Sequence, residues 1–349
     1  MIDTVELDCE GTAILDALDT GRKDTELNST KICSDTTPNS VPIFSYTDEM
    51  TLRFTAPESG NSRFLIRYTA MMPIGCGTTF VRPRYSLENL ALKTTTTTTE
   101  GPLPDNPMLG IVGGEEAIPH SWPWIITLTF FHFHQCAAVL LNHGWAITAA
   151  HCVDPDMFSA EELMADIGRH ESGFMEDVPP KRVQIVAIKK FIIHKKFDPV
   201  TYKNDIALVQ LNGTVKFNEH VQPICISRAR IRPGRKCVIA GWGVTEGAGN
   251  DDVLNQAVVP IMPQHQCNQK TWYNGRVLDE QFCAGYEQGI TDTCTGDSGG
   301  PLVCPTAEGT WELVGLTSWG DGCGEPKKPG VYTRLVHFLD WITKNSNGT

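Results

Sequence analysis

No stretch of the 349-residue chain is apolar for long enough to cross a bilayer as a helix. No Cys-x-x-Cys pair occurs, which leaves zinc and thioredoxin-like sites little support. No internal repeat is visible. Positive charge is in short supply: 29 Lys and Arg face 41 Asp and Glu, for a formal net charge of −12. That balance argues against nucleic acid or an anionic membrane as a partner. A charged, then apolar, then small-residue leader is missing too, since the chain opens Met1-Ile2-Asp3-Thr4-Val5-Glu6. Amphipathic helical spacing is almost absent. Only Leu335, Phe338, Leu339 and Ile342 fall on one helical face, near the end of the chain.

What is present points elsewhere. Hydrophobic residues make up 41% of the chain, ordinary for a globular protein that buries a core. Twelve Cys are spread at 9, 33, 76, 136, 152, 225, 237, 267, 283, 294, 304 and 323. An even, dispersed set of this size implies disulfides and an oxidising compartment. N-x-S/T triplets at Asn28, Asn212 and Asn347 are compatible with secretion. A secreted, extracellular protein is therefore expected, and with it a true N-terminus and signal peptide not present in this sequence.

Three regions separate by composition. Residues 1–72 alternate short apolar stretches, such as Thr51-Leu52-Arg53-Phe54 and Arg63-Phe64-Leu65-Ile66-Arg67-Tyr68, with turn residues, and read as strands. Residues 73–110 hold six consecutive Thr (Thr94 to Thr99) and then Gly101-Pro102-Leu103-Pro104. Such a segment buries too little apolar surface to fold alone, and reads as an extended linker and a candidate for O-glycosylation. From 111 to 349, Ile125–Phe130, Val183–Val186, Ile206–Leu211 and Leu313–Leu316 are short strands separated by Gly, Pro, Asn and Asp. Their regular spacing predicts an all-β barrel or sandwich.

The chemistry sits in three short motifs. In Gly296-Asp297-Ser298-Gly299-Gly300-Pro301, glycines let the backbone bend and leave a hydroxyl exposed. They also let backbone N–H groups converge where an oxyanion develops. A bare Gly-x-Ser-x-Gly is more often a surface turn, but here six positions are specified. Thr148-Ala149-Ala150-His151-Cys152 offers an imidazole with small neighbours and a Cys able to pin the backbone beside it. Asn204-Asp205-Ile206-Ala207-Leu208 places a carboxylate at the head of an apolar strand, where it needs a partner. Taken singly, the Asp reads as a turn cap and the His as an ordinary residue. Together, in the chain order His, Asp, Ser, they match the order of chymotrypsin and not that of subtilisin or the α/β-hydrolases.

Residues 111–349 resemble the S1 (chymotrypsin/trypsin) peptidase family over their whole length. The likeness is carried by the three motifs, Ile111-Val112-Gly113-Gly114, Ala240-Gly241-Trp242-Gly243, Ser318-Trp319-Gly320 and Lys328-Pro329-Gly330-Val331-Tyr332. The resemblance implies two six-stranded antiparallel β-barrels with a C-terminal helix. It implies a triad of His151, Asp205 and Ser298 in the cleft, and an oxyanion hole from the N–H groups of Gly296 and Ser298. Ser318, Trp319 and Gly320 would pair with the substrate backbone. Asp292, six residues before Ser298, falls at the floor of the primary specificity pocket, with Gly320 and Gly330 as its walls. A buried carboxylate there favours Arg or Lys before the cut. Cleavage before Ile111 would free an α-ammonium to pair with Asp297. The residue preceding that bond is Gly110, where the family usually has Arg or Lys.

The same resemblance implies bridges Cys136–Cys152, Cys237–Cys304, Cys267–Cys283 and Cys294–Cys323, with Cys76 the partner for Cys225. Residues 1–72 more faintly resemble the later part of a CUB domain, a β-sandwich with a Cys9–Cys33 bridge and a binding role for an extracellular partner. Thr12 and Pro57 stand near the places of that fold's calcium ligands, and Arg169 stands where calcium-loop trypsins carry Glu. No metal and no cofactor is expected. Ala137-Ala138 follows Cys136 where the family usually has Gly-Gly. Two other readings compete with the secreted endopeptidase: an adaptor whose peptidase part stays an uncleaved zymogen, and a digestive trypsin.

Overall fold

The computed structural model describes residues 6–7, 14–18, 30–31, 51–55, 66–67, 76–85, 113–172, 182–244, 250, 252–289 and 291–346. The chain divides into two compact units, Met1–Ile74 with Phe80–Arg82, and Gly75–Thr79 with Pro83–Thr349. In the first unit, β1 (Glu6–Leu7) pairs with β5 (Ile66–Arg67), and β2 (Ile14–Leu18) lies between β3 (Thr30–Lys31) and β4 (Thr51–Thr55). The strand expected at Thr51 is β4, and β5 lies within the one expected at Arg63–Tyr68. The expected Cys9–Cys33 bridge, Thr12, Pro57, the Thr94–Thr99 tract, Gly110, Ile111, Asn28 and Asn347 lie outside the described residues.

The second unit begins its regular structure with β6 (Glu115–Glu116). A closed barrel follows from β7 (Ile125–Phe130), β8 (Phe133–Asn142), β9 (Trp145–Thr148), β10 (Leu163–Ile167), β11 (Gln184–Ile193) and β12 (Ala207–Leu211). Its order is β10-β11-β12-β9-β8-β7, so the strands close into a ring. The remaining strands are β13 (Cys225–Ile226), β14 (Lys236–Gly241), β15 (Asn255–Pro260), β16 (Gln281–Ala284), β17 (Pro301–Pro305), β18 (Trp311–Trp319) and β19 (Gly330–Arg334). They form an eight-stranded sheet ordered β16-β19-β18-β17-β14-β15-β6, with β13 joined to β18. The expected all-β class thus holds, with one closed six-stranded ring and a second sheet that joins β6 to the strands after β12.

The apolar runs account for the core. Ile125, Ile126 and Leu128 of β7 and Ala207, Leu208 and Val209 of β12 are at most 2% exposed. Consecutive apolar residues are tolerated because barrel strands pack against layers on both faces. One continuous cluster runs from these residues through Val238, Ala240, Val303, Leu313 and Leu316 of the second sheet. The barrel and the sheet therefore share one apolar cluster, and the second sheet and its loops hold two further clusters, one around Phe282 and Tyr332 and one around Trp272 and Tyr273. The terminal pattern forms a 3₁₀ turn at Leu335–Phe338 and then helix α2 (Leu339–Asn345), after the short helix α1 (Gln264–Cys267). Leu335, Phe338 and Ile342 are buried and Leu339 half-buried, so the i, i+3, i+7 stripe does face the core.

Disulfides Cys76–Cys225, Cys136–Cys152, Cys237–Cys304, Cys267–Cys283 and Cys294–Cys323 are formed. The first clamps a strap of the second unit, residues 76–79 and 83–85, to the rest of that unit. Gly77 donates to Pro223 O and accepts from Trp311 N, both at 2.8 Å. It adopts φ +80°, and a Cβ there would lie 2.0 Å from Trp311 O, so only glycine fits. At the far end of the strap, Arg84 pairs with Glu115 at 2.9 Å. No described helix is long and apolar enough to cross a membrane.

A histidine corner gives the unit an acid-sensitive point. The rings of His120 and His220 lie 4.3 Å apart, and His170 donates toward Glu116 at 2.8 Å. Burial, then the nearby His220, His170 and Arg182, pull His120 down to about 3 from 6.5, against a hydrogen bond to Gly168 O. The folded state therefore binds this proton less tightly than the unfolded chain. Stability from the neutral ring is full above pH ~6.5 and is lost as pH falls toward 3, by at most about 1.4 kcal/mol per unit. Glu219 lies 3.3 Å from His220 and Glu116 lies 2.8 Å from His170. Urea midpoints measured from pH 7 to 4.5 should fall less steeply in His120→Asn, whose side chain tolerates the φ of 64° found here.

Candidate active site

His151 sits on a single 3₁₀ turn, Ala150–Val153, that follows β9. Ala149 and Ala150 are fully buried, so no larger side chain intervenes between the ring and the core. The Cys136–Cys152 bridge ties the turn to β8. Asp205 lies at the head of β12, just after Asn204 in the left-handed region at φ 54°. Its carboxylate is 1% exposed and is surrounded by donors. Oδ2 accepts from His151 Nδ1 at 2.8 Å and from Ser318 Oγ at 2.6 Å, and Oδ1 accepts from the His151 backbone N–H at 3.0 Å. A carboxylate only accepts, so Nδ1 carries the ring proton and Nε2 is left as the acceptor. The edge of Tyr202 stands against the imidazole at 5.4 Å.

Ser298 arrives from the second sheet on a loop built of close contacts. Its carbonyl accepts from Ala137 N–H at 2.8 Å, and Gly299 N–H donates to Thr317 O at 2.9 Å. Gly299 has φ +75°, and a Cβ there would fall 2.1 Å from Thr148 Oγ1 and 2.4 Å from Ala137 O. The segment carrying the hydroxyl therefore presses directly on the segment that leads into His151. Among the described residues, no hydrogen bond joins Ser298 Oγ to His151 Nε2. Nε2 lies 3.8 Å from Cys152 Sγ. Nor do the N–H groups of Gly296 and Ser298 meet an acceptor among the described residues.

Asp297, 1% exposed, accepts from Gly243 N–H and Cys294 N–H, both at 2.9 Å. Its carboxylate fills a niche that exists because two positions lack side chains. A Cβ on Gly241 or Gly243 would lie 2.0 or 2.4 Å from it. His134 braces the same loop from the barrel: Nε2 donates to Gly296 O at 2.7 Å while Nδ1 accepts from Thr127 Oγ1 at 2.5 Å. Burial holds His134 below the usual histidine range, which suits a neutral ring with one donor and one acceptor.

Asp292 is 2% exposed, with Oδ1 accepting from Thr293 N–H at 2.8 Å and Oδ2 from Gly324 N–H at 3.3 Å. Burial pushes its carboxyl up to about 7; the backbone N–H bonds pull the other way, and the Asp297 charge adds to the rise. No cation faces it among the described ion pairs. Gly330 keeps the way open, since a Cβ there would stand 2.7 Å from Asp292 Oδ1. Gly320 is roomier, with Gly322 O at 3.4 Å as its nearest neighbour. Cys294–Cys323 links the segment after Asp292 to the one after Gly320.

Some of these groups carry no signal in the sequence. Ser318 reads as a backbone partner, yet its hydroxyl reaches Asp205. His134 has no distinctive flank, and neither does the cluster beside Trp319. There Arg276 and Lys328 both pair with Asp321, and Arg276 lies 5.3 Å over the Trp319 ring. Arg169 pairs with Asp166 at 2.8 Å.

A barrel and a sheet sharing one core, with a His–Asp pair on one side and a glycine-bounded Ser loop on the other, define a serine peptidase. The chain belongs to the trypsin family: that family's model, described as Trypsin, matches residues 111–342. It is a serine protease of the S1 class, and its substrates are proteins.

Proposed function

We propose that the chain is a secreted endopeptidase that hydrolyses peptide bonds after Arg or Lys, made as a zymogen and activated by cleavage before Ile111. The observation that carries this reading is Asp292, a carboxylate 2% exposed with no cation facing it among the described ion pairs, next to a glycine whose side chain would block it. Such a group is satisfied by a long cationic side chain and by little else.

The chemistry follows from the proton positions. His151 Nε2 takes the proton from Ser298 Oγ as that oxygen attacks the carbonyl, and Asp205 stabilises the imidazolium through the Nδ1 bond. The Ser318 hydroxyl keeps Asp205 aligned. The Gly296 and Ser298 N–H groups receive the oxyanion, and Ser318, Trp319 and Gly320 align the substrate backbone before the cut. His151 passes its proton to the leaving amine, and water then releases the acyl group. The missing Ser298–His151 hydrogen bond is consistent with a site that tightens once Ile111 is freed and its ammonium meets Asp297. A CUB-like region would add an extracellular binding partner.

The adaptor reading keeps one favourable observation, Gly110 at the activation bond. Intact-mass analysis and N-terminal sequencing of the natural protein separate the two. A chain beginning at Ile111 that is labelled at Ser298 by an arginine-like phosphonate is the expected result. Only uncut, unlabelled chain would sink the enzyme.

A further inference from the structure

The two ends of β12 have different surroundings. Asp205, with His151 and Ser318 on its carboxylate, precedes the strand, and Asn212 follows it. At about 3.3 Å per residue the two stand roughly 20 Å apart, so a bulky group can project at Asn212 without meeting the catalytic pair. Asn212-Gly213-Thr214 is an N-x-T triplet with no Pro inside it or directly after it.

The turn is held through its backbone. Strand β11 outruns β12: Gln184 to Ala187 pair with β10 on one edge, while pairing to β12 reaches only Ile188, opposite Leu211. The turn takes the other edge of that stretch. Asn212 N–H donates to Ala187 O at 2.8 Å, Lys216 N–H to Gln184 Oε1 at 2.8 Å, and Gln184 Nε2 to Lys216 O at 2.7 Å. Leu211 and Val215 are buried on either side, and between them Asn212, Gly213 and Thr214 are all exposed. An Asn in a turn usually bends its side chain back onto the backbone. Asn142 does so with Gly144 N–H at 2.9 Å, and Asn218 with His220 N–H at 2.8 Å. Among the described residues no hydrogen bond takes up the Asn212 amide or the Thr214 hydroxyl. Nothing overhangs them closely either: a Cβ on Gly213 would meet only Val186 Cγ1, at 3.8 Å.

We propose that Asn212 is the attachment point of an N-linked oligosaccharide. The donor is an oligosaccharide carried on a lipid diphosphate. The amide Nδ2 of Asn212 attacks the anomeric carbon of the first sugar. The new N–C bond forms as the bond from that carbon to the diphosphate oxygen breaks. One amide proton passes to the transferase, and the lipid diphosphate leaves. The Thr214 hydroxyl is the group the transferase reads beside the amide. The folded chain accommodates the product, because both side chains face solvent and the turn keeps its hold on β11 without them. The inference rests on the secreted reading above, since a chain meets that donor on the secretory route.

Tandem mass spectrometry of the natural protein, treated with a peptide N-glycosidase in heavy-oxygen water, tests it. Enzymatic release leaves an aspartate carrying heavy oxygen at position 212, whereas earlier spontaneous deamidation of this Asn-Gly pair leaves an unlabelled one. The same chain is made in animal cells behind a cleavable secretion leader, alongside Thr214→Ala and Thr214→Ser. Label is expected in the natural protein, in the leader-directed parent and in Thr214→Ser, and is expected to vanish in Thr214→Ala. No label in either parent sample overturns this proposal without touching the secreted reading, as does label that Thr214→Ala retains. Label only behind the leader overturns the secreted reading, and this inference with it.

Discussion

Replacing Ser298 by alanine should lower kcat/KM for an Arg-containing amide by about 10⁵-fold or more, with little change in substrate binding. The expectation follows from the proposed role of this hydroxyl as the group that forms the acyl bond. The loop itself should survive, because its contacts are backbone ones: Ser298 O to Ala137, Gly299 N–H to Thr317 and Gly300 N–H to Asp297. Asp205→Asn should cost about 10⁴-fold for a different reason. An amide can donate to Nδ1, which would move the ring proton to Nε2 and leave Ser298 facing a donor. The measurement is kcat/KM on the activated protein, read with thermal unfolding to show that both variants fold. Residual activity within tenfold of the parent in Ser298→Ala would remove this residue from the mechanism.

The second large effect belongs to Asp292. Asp292→Asn should reduce kcat/KM for Arg and Lys substrates by about 10³- to 10⁴-fold, since a desolvated cation would then meet no charge. The same change should stabilise the unliganded fold. The carboxyl is raised to about 7 from 3.8, so the folded state prefers the protonated acid, and ionising it above pH 7 costs folding free energy. The asparagine variant should therefore gain stability over the parent as pH rises from 4 to 7, and keep that gain above 7. Binding runs the opposite way. Benzamidine, a cationic probe measured on the Ser298→Ala protein, should hold a constant Kd above pH 7 and weaken about tenfold per unit below it. A Kd flat from pH 8 to 5 would show that the carboxylate does not meet the cation.

Much of this was legible in the residues, for identifiable reasons. Ile125–Phe130 was readable as a strand because an apolar run bounded by turn residues needs no tertiary context, and β7 has those limits. The Ser298 loop was readable because its glycines are demanded by contact: a Cβ at Gly299 collides with Thr148, another of the motif residues. Strand limits were harder. The run at Val183–Val186 overlaps only the start of a ten-residue strand, Gln184–Ile193, because pairing to β12 carries it past a bulge between Ile188 and Lys190. The Ser318 hydroxyl on Asp205 and the His134 brace were invisible, since each joins residues 113 and 162 positions apart through one hydrogen bond.

The strap has a consequence for what a cut would release. Cys76 is covalently joined to Cys225, and Gly77 and Arg84 hold the same unit without covalent bonds. A nick between 86 and 112 thus yields two polypeptides but one particle. Gel filtration would register no loss of mass, while a reducing gel would resolve two bands. Whatever the leading fragment adheres to would keep the peptidase at that spot after such a cut, instead of letting it diffuse away.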